Sequence, residues 1–183
     1  MQQVVRALLQ AASQLEASNA HDAERRFMAA ARRIWGDSTI DQLTFSVRVE
    51  AIKDDVLAAL SYKPANHSRR ATGSILRWAP PDKHFNLILN PRLFDKDDDV
   101  VEKIMIHEAV HIGYSRHDAN FEQLVKEHGG ALTENDALGL GFQVQIKEGA
   151  RFKMLKRFDD QFEAVAWMRQ QHRENPGRYR VVY

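Results

Sequence analysis

Two histidines set four residues apart inside an apolar run constrain this chain more than any other feature. Residues 104–117 read I-M-I-H-E-A-V-H-I-G-Y-S-R-H. On a helix, positions four apart lie one turn above each other, so His107 and His111 project from one face, close enough to share a cation. Two neutral imidazoles suit zinc, which prefers nitrogen and sulfur ligands in tetrahedral geometry. Glu108 is next round the helix and can reach a water on such a metal without ligating it, as the general base of zinc hydrolases does. Ile104, Met105, Ile106, Val110 and Ile112 surround these groups. Burying unpaired ionisable side chains there is costly, and a metal ion removes that cost.

A third ligand is less directly given. His117 lies six residues beyond His111, roughly 120° off the metal-facing side of a continuous helix. It joins the site only if the helix stops and the chain turns back. Gly113 is expected to permit the stop by taking the left-handed conformation. Asp118 is a suitable N-cap for a following helix with Phe121, Leu124 and Val125 on one face, ended by Gly129-Gly130. Glu127, His128 and Glu134 are the alternative third ligands. Upstream, Phe85–Leu89 reads as a strand ended by Asn90-Pro91, and Asp97-Asp98-Asp99 offers a helix start.

The succession L-N-P-R-L-F, H-E-A-V-H, five residues, then H-D-A-N-F-E-Q-L resembles the SprT-like and WLM group of zinc metallopeptidases, over about residues 70–130. The resemblance implies that His107, His111 and His117 are the Zn2+ ligands and Glu108 the catalytic base. It implies an α+β, zincin-like core, with the active-site helix on a small antiparallel sheet. Some members degrade proteins crosslinked to DNA, so it also implies a DNA-linked protein substrate. Many members carry a cysteine-rich zinc ribbon, which this chain, with no cysteine, cannot build. The metzincin pattern shares the histidine spacing but has glycine three residues after the second histidine. Here that place holds Tyr114, and Met154 is a weak Met-turn.

The 183 residues suit one domain with a small appendage, and a 44% hydrophobic fraction suffices for a core. A net charge of +1 argues neither for nor against nucleic acid. No apolar run approaches the length of a membrane span, and the first residues lack a secretory pattern; a cytoplasmic protein without membrane contact is expected. The domain expectation is a catalytic region over 1–150, with N-terminal helices, and a basic β-α-β appendage over 151–183.

In order, the periodicity predicts helices over 2–17 and 21–35, broken at Ser18-Asn19, the second with an arginine face at Arg25, Arg26, Arg32 and Arg33. A strand is expected over Leu43–Val49 and a short helix over Ile52–Leu60. Ala71–Trp78 is expected to pair with Phe85–Leu89 as a hairpin whose edge could hold extended substrate. Trp78 and Tyr114 are candidate substrate or oxyanion contacts, with Tyr183 a further candidate. Arg69 and Arg70 in a basic loop, and Lys153, Lys156 and Arg157 in the appendage, are candidate contacts to single-stranded DNA. A solvated face is the plainer account of the helix arginines and of the appendage cluster. The function expected is a zinc endopeptidase acting on protein or peptide. The competing class is a zinc-stabilised binding module without catalysis, which an intact Glu108 disfavours.

Overall fold

The computed structural model describes residues 2–53, 56–62 and 83–182. They form a mixed helix and strand protein with two small sheets, and their contacts gather into two compact units, Met1–Gly130 and Ala131–Tyr183. The sequence expectation placed the division near residue 150; in the structure the strand Phe142–Glu148 is hydrogen-bonded into the second unit's sheet.

The first unit opens with α1 (Gln2–Trp35), one continuous helix. The expected break at Ser18-Asn19 does not occur. Ser and Asn cost a helix only tenths of a kcal/mol against alanine, and no glycine or proline interrupts the run. The C-terminal half buries Ala23, Phe27, Ala30 and Ala31, whereas Val5, Leu8, Leu9 and Leu15 are exposed. The arginine face is partnered by carboxylates rather than merely solvated. Arg26 bonds Asp22 and reaches Asp98, and Arg32 bridges Asp37 and Asp41.

After the short helix α2 (Asp37–Ile40), three strands follow: β1 (Thr44–Val49), β2 (Ala58–Tyr62) and β3 (His84–Leu89). β3 is central, parallel to β1 and antiparallel to β2, so this sheet is mixed rather than antiparallel throughout. The helix expected over Ile52–Leu60 is replaced by β2. Ala and Leu favour helix locally, but pairing with β3 overrides propensity. Asn90 fastens the approach to β2: its side chain donates to the Val56 carbonyl and its backbone N–H to that of Leu57. The expected strand 71–78 lies outside the described residues. Phe85, Leu87 and Leu89 alternate inward. Phe27 meets Phe45 edge-on at 5.5 Å and Phe45 stacks on Phe85 at 5.7 Å, joining α1 to the sheet.

A 3-10 turn (Pro91–Asp95) leads to α3 (Asp98–Val110) and α4 (Ala119–Glu127). The second unit contains α5 (Glu134–Ala137), β4 (Phe142–Glu148), β5 (Arg151–Phe158), α6 (Gln161–Glu174) and β6 (Tyr179–Val182). The expected β-α-β is present as β5-α6-β6, but β4 lies between the two strands and is antiparallel to both. Phe142, Val144 and Ala164 form its core, with Phe158, Trp167, Met168, Tyr179 and Val181 packed against them. No described helix is long and apolar enough to cross a membrane.

Candidate metal centre

α3 starts behind Asp97 with Asp98 and Asp99 in its first turn, where negative charge meets the helix dipole favourably. Val100, Ile104, Met105, Ile106, Ala109 and Val110 are all buried, so the helix is apolar on more than one side and lies inside the unit. Its last turn tightens to i→i−3 bonds, from Ile112 N–H to Ala109 and from Gly113 N–H to Val110.

The stop at that turn has a cause different from the one expected. Gly113 is not among the described glycines with positive φ. A Cβ added to it would collide with the Trp35 ring. Trp35, the last residue of α1, lies across the end of α3 and donates its indole N–H to the Ala109 carbonyl at 2.8 Å. That satisfies one of the carbonyls a helix end leaves open. Glycine at 113 is required for close approach, not for a left-handed turn. Downstream the expectation holds: Asp118 caps α4, its Oδ1 accepting from the Asn120 and Phe121 N–H groups at 3.0 and 3.1 Å. The cap turns the chain back one residue after His117.

The three histidines converge. His111 Nε2 is 3.2 Å from His107 Nε2 and 3.1 Å from His117 Nε2. His107 is buried, His111 half-buried and His117 exposed. The buried Phe121 ring floors the cluster, its centroid 5.0, 4.7 and 4.5 Å from those of His107, His111 and His117. His111 Nδ1 lies 2.8 Å from the Tyr114 carbonyl, which can only accept. Nδ1 is therefore the donor, and the Nε2 lone pair faces the other two rings. Burial pushes His111 down to about 4, a charged His117 adding to the effect and the Tyr114 carbonyl opposing it. Burial also lowers His117, with Glu122 opposing. Both are thus neutral near pH 7, the form that binds metal.

This donor set fits zinc. Zn–N bonds of about 2.0–2.1 Å in a tetrahedron separate the nitrogens by roughly 3.3 Å, close to the spacing found. Three ring nitrogens pointing at one another also repel unless a cation or proton lies between them. Among the described residues, His107, His111 and His117 are the histidine and carboxylate side chains grouped closely enough to hold one ion. The alternatives Glu127, His128 and Glu134 are not in that group. Glu108 is buried at 5% exposure. Its Oε2 accepts the Leu60 N–H of β2 at 2.6 Å. Reading residues 52–60 as helix hid this partner.

Tyr114 adjoins the site through its carbonyl, and its ring tilts against Trp35 at 6.1 Å. Trp78, Arg69, Arg70 and Tyr183 lie outside the described residues. Lys153 is 3.7 Å from Glu148. Lys156 sits over the rings of Phe158 and Trp167, and Arg157 stands on the opposite face of its sheet from Lys156.

Three imidazoles converging at the end of a buried helix make a candidate metal centre. Residues 42–137, just over half of the chain, match the family described as YgjP-like, metallopeptidase domain. The chain belongs to that family, within the SprT-like group. No curated protein and no solved structure matches the chain.

Proposed function

We propose that this chain is a zinc-dependent endopeptidase in which His107, His111 and His117 hold the metal and Glu108 is the general base. The observation that carries the reading is the approach of His107 Nε2, from α3, and His117 Nε2, from the returning chain, to His111 Nε2 at 3.2 and 3.1 Å, with the residue after His107 a buried glutamate. We read the packing of α3 against the first sheet as a zincin-like core.

Three protein ligands, one fewer than structural zinc sites use, are the complement of catalytic ones. A zinc ion held by His107, His111 and His117 would supply Lewis acidity to a peptide carbonyl and to water near neutral pH. Glu108 takes the proton from the attacking water and gives it to the leaving amine nitrogen. The Leu60 N–H holds Glu108 Oε2 in place. The Tyr114 carbonyl fixes the His111 ring so that Nε2 is the ligating atom. Phe121 keeps water from beneath the rings.

Family resemblance supports a narrower substrate, proteins bound or crosslinked to DNA. Hydrolysis of an unfolded protein by the wild type and by Glu108→Gln tests the peptidase reading. Zinc retained with hydrolysis lost supports it; full hydrolysis by Glu108→Gln overturns it. Faster cleavage of a protein crosslinked to an oligonucleotide than of the same protein free tests the narrower substrate.

A further inference from the structure

The family match ends at residue 137 and does not reach the sheet of the second unit. α6 covers one face of that sheet, over Phe142 and Val144 of β4. Side chains alternate along a strand, so Gln143, Gln145 and Lys147 stand on the other face. Residues directly opposite across a ladder share a face. That places Arg157 beside Gln143, Met154 and Arg180 beside Gln145, and Phe152 beside Lys147. The register shifts between Val144 and Gln145, leaving Leu155 as an extra residue in β5. The bulge brings Phe152, Met154 and Arg157 to one side, which strict alternation along β5 would forbid.

This open face has an unusual chemistry for a solvated surface. Phe152 and Met154 are 39% and 46% exposed. The Arg180 guanidinium lies 3.7 Å from the Phe152 ring centroid. Its Nε and Nη2 both donate to Gln145 Oε1, at 3.0 and 2.8 Å. The guanidinium is thus fixed in place on the aromatic ring. Lys147, Arg157 and Arg180 supply positive charge, and none of the residues that the register puts on this face is acidic. The nearby cations Lys153 and Lys156 are engaged elsewhere, with Glu148 and with the aromatic rings under α6.

We propose that this face binds single-stranded nucleic acid, with phosphates at Lys147, Arg157 and Arg180 and a base stacked on the Phe152–Arg180 pair. A cation cluster alone would accept any polyanion. An exposed ring carrying a stacked guanidinium offers a π surface that only an unpaired base can use. The face tracks backbone and stacks bases without reading edges, so binding is sequence-tolerant and salt-dependent. This deepens the nucleic-acid side of the proposed function, and the two can fail separately.

The test is fluorescence anisotropy of labelled oligothymidylate with the full-length Glu108→Gln chain, so that peptidase activity plays no part. With three phosphates neutralised, log affinity should fall against log salt with a slope of about −2. Phe152→Ala should weaken binding at least 5-fold, since a stacked base contributes about 1–3 kcal/mol, and leave the slope unchanged. Phe152→Leu, which keeps the bulk but not the π face, should lose as much, with an unaltered melting temperature. Arg157→Gln should weaken binding and flatten the slope by about 0.7. Arg173→Gln, on α6, should change nothing. Oligouridylate binding in the same way supports the proposal. Absent binding, duplex bound equally well, displacement by polyglutamate at matched charge, or indifference to Phe152→Ala overturns it.

Discussion

At the end of α3, His107 and Glu108 are withdrawn from water and His111 half so, while His117 stays exposed. On the open face of β4, β5 and β6, Arg157 and Arg180 are exposed and Lys147 is half-buried. His111 is aimed by the Tyr114 carbonyl and Glu108 by the Leu60 N–H, whereas Arg180 leans on Gln145 and Phe152. The buried cluster gains from low dielectric, where removing one partner leaves the rest uncompensated. The exposed one works in high dielectric, where charges add in small, screenable steps. The first region should therefore fail all at once under mutation and the second by degrees.

The largest expected effect comes from Glu108→Gln. It removes the base while keeping the shape, so kcat should fall about 10²–10⁴-fold with zinc content unchanged, measured by hydrolysis of an unfolded protein and by metal analysis. Gly113→Ala comes next. The added methyl meets the Trp35 ring that caps α3, and such overpacking costs about 1–3 kcal/mol, read from denaturant unfolding. Combining it with Trp35→Ala should give a loss smaller than the sum of the two, because the collision disappears.

A third effect concerns pH in the metal-free protein. His111 is lowered from 6.5 to about 4 by burial, so between those values the unfolded chain binds the extra proton and the folded one does not. Stability is full above about pH 6.5 and declines as pH falls towards 4. His111→Gln should flatten that part of the stability profile. The smallest effects belong to the open face. Lys147→Gln should leave zinc content, hydrolysis of free protein and melting temperature as they are, and shift nucleic-acid affinity a few-fold in a way that salt erases. An equally gentle response at His111, or an abrupt collapse at Lys147, would break the contrast.

The metal helix was legible because its signals are local. H-E-x-x-H fixes a face, Asp118 carries its own capping geometry, and the alternation in β1 and β3 needs no distant partner. The rest depended on contacts far along the chain. β2 looks helical until β3 is beside it. The reason for glycine at 113 is an indole 78 positions earlier. The partner of Glu108 is a backbone N–H, which every residue but proline has. Ser18-Asn19 resembles a helix break, but neither residue costs a helix enough to end α1. In the appendage, charge and aromatic content are visible, but the bulge at Leu155 decides which cations share a face: it separates Arg157 from Lys153, which strict alternation would put together.

The three-histidine site is tested most directly by the metal content of the wild type and of His117→Ala after dialysis against a weak chelator. One zinc ion should be retained per wild-type chain and little or none in His117→Ala, with the fold of both intact by circular dichroism. A His117→Ala chain that keeps its full zinc, or a folded wild type that keeps none, would contradict it.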